Sequence, residues 1–268
     1  MKRILPFLLL AVMLICSASS DAAVQNKRRP TKSAPTQTVR AGEIRTYADG
    51  LTTQKFTIKK NVRILSFGSV RNAECSLVIE YPVAGPDEFV EAARKWIKNQ
   101  VNPDYIGSLG NPKALMLATA KNWSDEQITS EIFIAYSNYN IVTYCNDFYL
   151  DGGGAHGIPR QDFATFLLGN GRLLTNADLP PFSKMDVPSK LAKRIGCNRS
   201  DLGENLQEIP TSYPDATPYI VKDGLHVAWG VYEIAPYAMG IIDIELAKSA
   251  EEVSGYPVVT YLTDFKAF

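Results

Sequence analysis

The sequence predicts an α+β fold of two antiparallel-sheet subdomains with helices packed on them. Three observations carry that expectation. Short turn signals between apolar runs recur at 137–139, 169–171 and 222–224, each suited to a hairpin. Two helix-start signals, Pro86-Asp87 and Asn111-Pro112, fall between groups of strands instead of after every strand, which disfavours a doubly wound parallel sheet. With 46% apolar and 10% aromatic residues, the 268-residue chain can build a packed core, so a disordered or fibrous polymer is excluded.

Val62 to Val70 and Ala73 to Tyr81 read as strands. A helix follows from Asp87, with Phe89, Ala93, Trp96, Ile97 and Gln100 at helical spacing. Asn111 is an N-cap before Pro112, opening a second helix with Leu115, Leu117 and Ala118. Gln127 to Ser137 and Asn140 to Leu150 are expected to pair as an antiparallel hairpin. After the glycines at 152–157, Asp162 to Leu168 and Arg172 to Leu174 suggest another hairpin. Val187 to Ile195 is a helix with Leu191 and Ile195 inward. Tyr219 to Val221 pairs with Leu225 to Trp229, then come a strand at Gly240–Leu246, a short helix at Ala247–Val253 and a last strand at Pro257–Leu262.

Lys2 and Arg3, the apolar run Ile4 to Ile15 and the small residues through Ala23 have the order of a secretory leader, cleaved after Ala22. The run is too short to span a bilayer. Export to the periplasm or beyond is therefore expected, with lipid anchoring at Cys16 as an alternative that the bulky Ile15 before it disfavours. Residues 23–54 are expected to form a basic flexible linker and lead-in, with 24–42 holding five basic and no acidic residues. The subdomains then divide as 55–157 and 158–250, with 251–268 a C-terminal extension. The whole chain balances 28 basic against 28 acidic residues, which argues against a nucleic-acid binder. Residues 43–268 hold 21 basic and 27 acidic residues, a net charge near −6.

Signatures of catalysis are missing: there is no G-x-S-x-G, no H-E-x-x-H and no paired C-x-x-C. Gly152, Gly154 and Gly157 satisfy G-x-G-x-x-G, but Ile158-Pro159 and a strand follow where a dinucleotide site needs a helix. No cofactor and no metal is expected. Cys75 and Cys145 both lie in strand-like runs, which allows a disulfide between them or two buried thiols. Glu233, Asp243 and Glu245 invite comparison with a glycosidase carboxylate pair, although Asp243 and Glu245 alternate as on a solvated edge strand.

Asp151-Gly-Gly-Gly-Ala-His156-Gly157, the later Gly169-Asn-Gly-Arg-Leu-Leu-Thr175 and Asp178-Leu179 make one motif block. Tyr219-Ile220, Gly224-Leu225 and the run Tyr232-Glu233-Ile234-Ala235-Pro236-Tyr237-Ala238-Met239-Gly240 make a second. Together, across residues 55–250, they resemble the paired extracytoplasmic domains of RsiV-type anti-sigma factors, which also occur in some peptidoglycan deacetylases. That resemblance implies a module that binds lysozyme in the former and accompanies a catalytic domain in the latter. This sequence shows neither an anti-sigma segment nor a deacetylase domain, so the resemblance implies binding of a lysozyme-like protein or a cell-wall glycan, without catalysis. The rival expectations are an enzyme acting on cell-wall polymers and a structural envelope protein. The candidate contact residues are His156, Tyr232, Glu233, Pro236 and Tyr237. His156 has the plainer alternative of capping a turn with its ring, and the Tyr232–Tyr237 segment that of covering the core. Gly152, Gly153, Gly154 and Gly157 are expected to make a tight structural turn.

Overall fold

In a computed structural model, residues 37–47 and 50–262 are described. The expected leader, Cys16 and the linker up to residue 36 lie outside the described residues. The far end of the expected linker is a strand instead. β1 (Arg40–Thr46) pairs antiparallel with β2 (Thr52–Ser66), although all seven of its residues are exposed. Such an edge strand is held by its backbone ladder and carries no apolar alternation from which it could be read.

β2 and β3 (Ser69–Ala84) form a long hairpin whose turn is Phe67-Gly68, both at positive φ, 47° and 79°. That pair of left-handed residues is the geometry of a tight hairpin turn. The strand bounds read from the sequence, 62–70 and 73–81, leave the connection at 71–72 instead. Leu65, Phe67 and Val70 obscure the turn, because they are apolar yet stand exposed at the hairpin tip. Next come α1 (Asp87–Val101) and α2 (Pro112–Lys121), the latter capped by the Asn111 side chain, which accepts a 3.1 Å hydrogen bond from the Ala114 N–H. This two-helix crossover returns the chain as β4 (Gln127–Ser137) parallel to β3, the one parallel pair of the sheet. β5 (Ile141–Asp151) and β6 (Ile158–Leu167) then add antiparallel, giving the order β1-β2-β3-β4-β5-β6. The expected boundary at 157/158 thus falls between two neighbouring strands of one sheet.

One face of this sheet buries Ile58, Leu77, Ile79, Tyr81, Ile132 and Tyr144 against Phe89, Ala93 and Ile97 of α1 and Leu115 of α2. Phe89 meets Phe166 edge-on at 5.9 Å between ring centres. Glu80 is buried in the sheet, 5% exposed, and its charge is met by the Tyr47 hydroxyl, the Thr53 hydroxyl at 2.8 Å and the Ile134 N–H at 3.2 Å.

The other face, at β5 and β6, carries the second sheet, β7 (Tyr219–Val221), β8 (Gly224–Trp229) and β9 (Ile242–Ala247), in that order. The open edge of β7 is satisfied by threonines of the first sheet. Thr143 Oγ1 donates to the Ile220 carbonyl at 2.6 Å, and the Ile220 N–H donates to Thr165 Oγ1 at 3.0 Å. α3 (Val187–Ile195), α4 (Leu202–Asn205) and α5 (Val259–Leu262) close this second core around Leu191, Leu225, Val227, Ile244 and Tyr261. The architecture is α+β with two sheets.

Three local expectations are corrected, and one left open is decided. Arg172–Leu174 makes only one bridge, Phe166 to Leu173, instead of a strand. The expected helix at 247–253 shrinks to a 3-10 turn, Glu251–Val253, because β9 runs on through Ala247. The last strand is α5: Val258, Tyr261 and Leu262 recur at helical spacing and all are buried, a pattern a short apolar run does not distinguish from a strand. Cys75 and Cys145 are free thiols. Cys75 shares the face of Leu77 and Ile79, whereas Cys145 pairs with Phe133 one position off Tyr144 and points to the opposite face, with β4 between their strands. Among the described residues, no helix is long and apolar enough to cross a membrane.

Candidate functional site

The glycine-rich turn after β5 projects one exposed histidine. Gly153 has φ 85°, and a Cβ there would stand 2.0 Å from the Leu65 carbonyl oxygen, while its N–H donates to Asp151 Oδ1 at 2.7 Å. A Cβ on Gly157 would overlap the Tyr149 ring at 2.2 Å. Gly154 carries neither constraint, with no positive φ and open space around it, and Gly152 has only Glu126 at 3.7 Å. Gly153, crowded by backbone at positive φ, therefore fixes the turn, whereas Gly157 meets only the end of the Tyr149 side chain.

On this turn His156 meets the second motif block. Its ring stacks on Tyr237 with centroids 3.8 Å apart and planes 22° from parallel. The Tyr237 hydroxyl donates to the Gly157 carbonyl at 2.8 Å. Tyr232 Oη lies 3.1 Å from His156 Nε2, and His156 Nδ1 lies 3.3 Å from the Gly157 carbonyl. One neutral tautomer satisfies both contacts, with Nδ1–H donating and Nε2 accepting from the tyrosine. Tyr232 is 51% exposed and sits at φ 68°, a left-handed conformation unusual for a large side chain. Pro236, exposed, starts the 3-10 turn that carries Tyr237. Glu233 is exposed and folds back toward Gly230, so it borders the aromatic group without joining it. His156, Tyr232 and Tyr237, up to 81 positions apart, thus form one aromatic cluster, exposed at His156 and Tyr232 and half-buried at Tyr237.

A second constellation was not recognised in the sequence. His226, on β8, is almost fully buried, its Nδ1 3.1 Å from Asp243 Oδ2 on β9. The Tyr219 hydroxyl donates to Asp243 Oδ1 at 2.5 Å, and the Tyr219 ring stacks on Phe163 at 3.7 Å. Glu245 is the cross-strand partner of His226, and Asp223, in the β7–β8 turn, places Oδ1 3.3 Å from His226 Nε2. Burial alone would lower the His226 pKa, but the Asp243 hydrogen bond and the charges of Asp243, Asp223 and Glu245 outweigh it and raise the value. Burial, then the Asp243 charge, raise the Tyr219 hydroxyl well above the usual phenol range. The group opens into a cavity of about 570 Å³ whose other wall is Ser189, Lys190, Lys193 and Arg194 of α3, with Lys248 at its rim. The available signals are weak: one of only two histidines, and the Asp243-x-Glu245 alternation, which suits a solvated edge as well as chemistry.

One family comparison falls on this part of the chain. Residues 186–249 match the family model described as a protein of unknown function, DUF3298. That span holds α3, β7 to β9, both tyrosines and the whole His226 group, while His156 lies before it. A crystal structure of a DUF3298 family member from Bacteroides fragilis is similar at 19% identity and TM-score 0.61, covering 80% of this chain and 98% of that one. It shares the fold. A DUF3298 family protein from Pseudomonas aeruginosa matches at 14% identity and TM-score 0.49, over 74% of this chain and 91% of that one. Among curated proteins none matches. The family description assigns no function.

Proposed function

We propose that this is an exported, non-catalytic binding protein of the cell envelope, whose contact surface is the His156–Tyr232–Tyr237 cluster. Its partner is a lysozyme-like protein or a peptidoglycan-derived glycan. The observation that carries this reading is the cluster itself: three rings drawn together from two distant segments, with His156 and Tyr232 left exposed and Tyr237 half-buried. Core aromatics would be covered, whereas rings ordered by hydrogen bonds at a surface suit stacking on a sugar face or anchoring a protein contact. The RsiV-like motif blocks supply the partner classes, and the net charge near −6 of residues 43–268 favours encounter with a cationic protein. A hydrolase built on His156 would need a carboxylate beside it in a cleft, and His156 instead lies exposed between tyrosines.

Isothermal titration of the purified protein against lysozyme, and separately against muropeptides, tests the reading. Saturable binding of either supports it and selects the partner class. Binding of neither at low salt refutes it.

A further inference from the structure

We propose that Asp223, His226 and Glu245 form a site for one divalent transition-metal ion of the zinc class, open on one side to the basic cavity beneath α3. One imidazole nitrogen and one oxygen from each carboxylate already lie within 4.8 Å of one another. Ligand bonds of about 2.0–2.2 Å around one ion need somewhat shorter separations. Asp223, with a side chain 71% exposed in a hairpin turn, has the freedom to close that gap.

Acidic groups on a surface do not make a metal site, and two further features set this one apart. The first is His226 Nε2. The side chain is 8% exposed, the nitrogen is buried, and it has no hydrogen-bond partner, since its 3.3 Å approach to Asp223 lacks the alignment of a hydrogen bond. An orphaned buried ring nitrogen is costly, and an ion bound between it and the two carboxylates would satisfy it. The second is the support behind the ring. Nδ1 is held by Asp243, which in turn accepts from Tyr219. A carboxylate behind one ring nitrogen fixes the orientation of the other and makes it a better ligand, the usual arrangement behind metal-bound histidines.

Imidazole plus two carboxylates suits zinc or a neighbouring first-row ion better than calcium, which prefers oxygen alone. Three protein ligands leave a coordination position open, and two of them, His226 and Glu245, line the cavity. Lys190, Lys193 and Arg194 on the far wall would repel a bare cation, so the open position is matched to a small anion such as a carboxylate, held by the ion and these side chains together. Lys248, 3.8 Å from Glu245, is the cation that the metal must displace from that carboxylate.

The test is zinc titration of the purified protein after removal of metals by chelation, with cobalt absorption as a second readout of the ligand set. One ion per chain is expected. Asp223→Asn and Glu245→Gln, both at side chains with solvent exposure and so compatible with folding, should each weaken binding at least about tenfold, and Asp243→Asn, behind the ring, about 10- to 100-fold. His156→Ala should leave binding unchanged. Absence of saturable zinc binding overturns the proposal. So does binding that Asp223→Asn and Glu245→Gln leave intact, or that His156→Ala abolishes, because the ion would then sit elsewhere.

Discussion

Tyr232 offers a comparison in which the usual order of two substitutions is reversed. At ordinary positions alanine is the more stable replacement by about 0.4–1 kcal/mol, because glycine gains more freedom on unfolding. Tyr232 sits at φ 68°, where a Cβ crowds the backbone and an L-residue other than glycine is disfavoured by about 1–2 kcal/mol. Tyr232→Ala and Tyr232→Gly both delete the same half-exposed ring and its contact with His156, so that loss cancels between them. What remains is the backbone term, which favours glycine by about 1 kcal/mol. For a domain of this size that corresponds to about 2–4 °C in Tm. Thermal melts of the two variants followed by circular dichroism at one protein concentration give the difference directly. Tyr232→Gly should melt above Tyr232→Ala. If alanine melts higher, the backbone at 232 carries no left-handed strain.

Other outcomes follow from the same geometry. Gly153→Ala places a Cβ 2.0 Å from the Leu65 carbonyl at φ 85° and should cost about 2 kcal/mol or more, whereas Gly154→Ala, in open space without positive φ, should stay within about 0.5 kcal/mol in urea melts. Glu80→Ala strips the acceptor from Tyr47, Thr53 and the Ile134 N–H and should lower stability by about 3 kcal/mol, read in the same melts. Burial, then Asp147 and Asp162, push the Cys145 thiol up to about 12, and burial also raises Cys75, so native protein should react with a disulfide reagent at Cys197 while Cys75 and Cys145 react only on unfolding. A native preparation that modifies Cys145 promptly would contradict that placement.

The parts of the fold that were legible are those where side chains announce their environment. Asn111-Pro112 gave α2 because a cap and a proline act locally, and Leu191 located α3 through its buried stripe. β4 was bounded by its alternation and the polar turn after it. β1 was missed because it contributes backbone pairing and no buried side chain. The β2–β3 turn was misplaced because Phe67, an apolar residue at positive φ, sits where turn chemistry favours glycine or asparagine. α5 reads as a strand in the sequence because four residues are too few to show a period. For the site, the two motif blocks did name His156, Tyr232 and Tyr237, but their mutual stacking is a tertiary fact with no local signal. His226 escaped for the same reason: Asp223, Asp243 and Glu245 gather around it only once β8 has paired with β7 and β9.

The central claim is that the exposed aromatic cluster makes the contact. Surface plasmon resonance of wild-type protein, Tyr232→Ala and a control, Tyr139→Ala, at the exposed β4–β5 turn, against whichever of lysozyme or muropeptide binds, tests it most directly. Loss of one aromatic anchor worth about 2 kcal/mol should raise Kd about thirtyfold for Tyr232→Ala, almost entirely through faster dissociation, while added salt mainly slows association and the Tyr139 variant behaves as wild type. Equal dissociation rates for Tyr232→Ala and wild type would contradict the account and move the contact surface away from His156, Tyr232 and Tyr237.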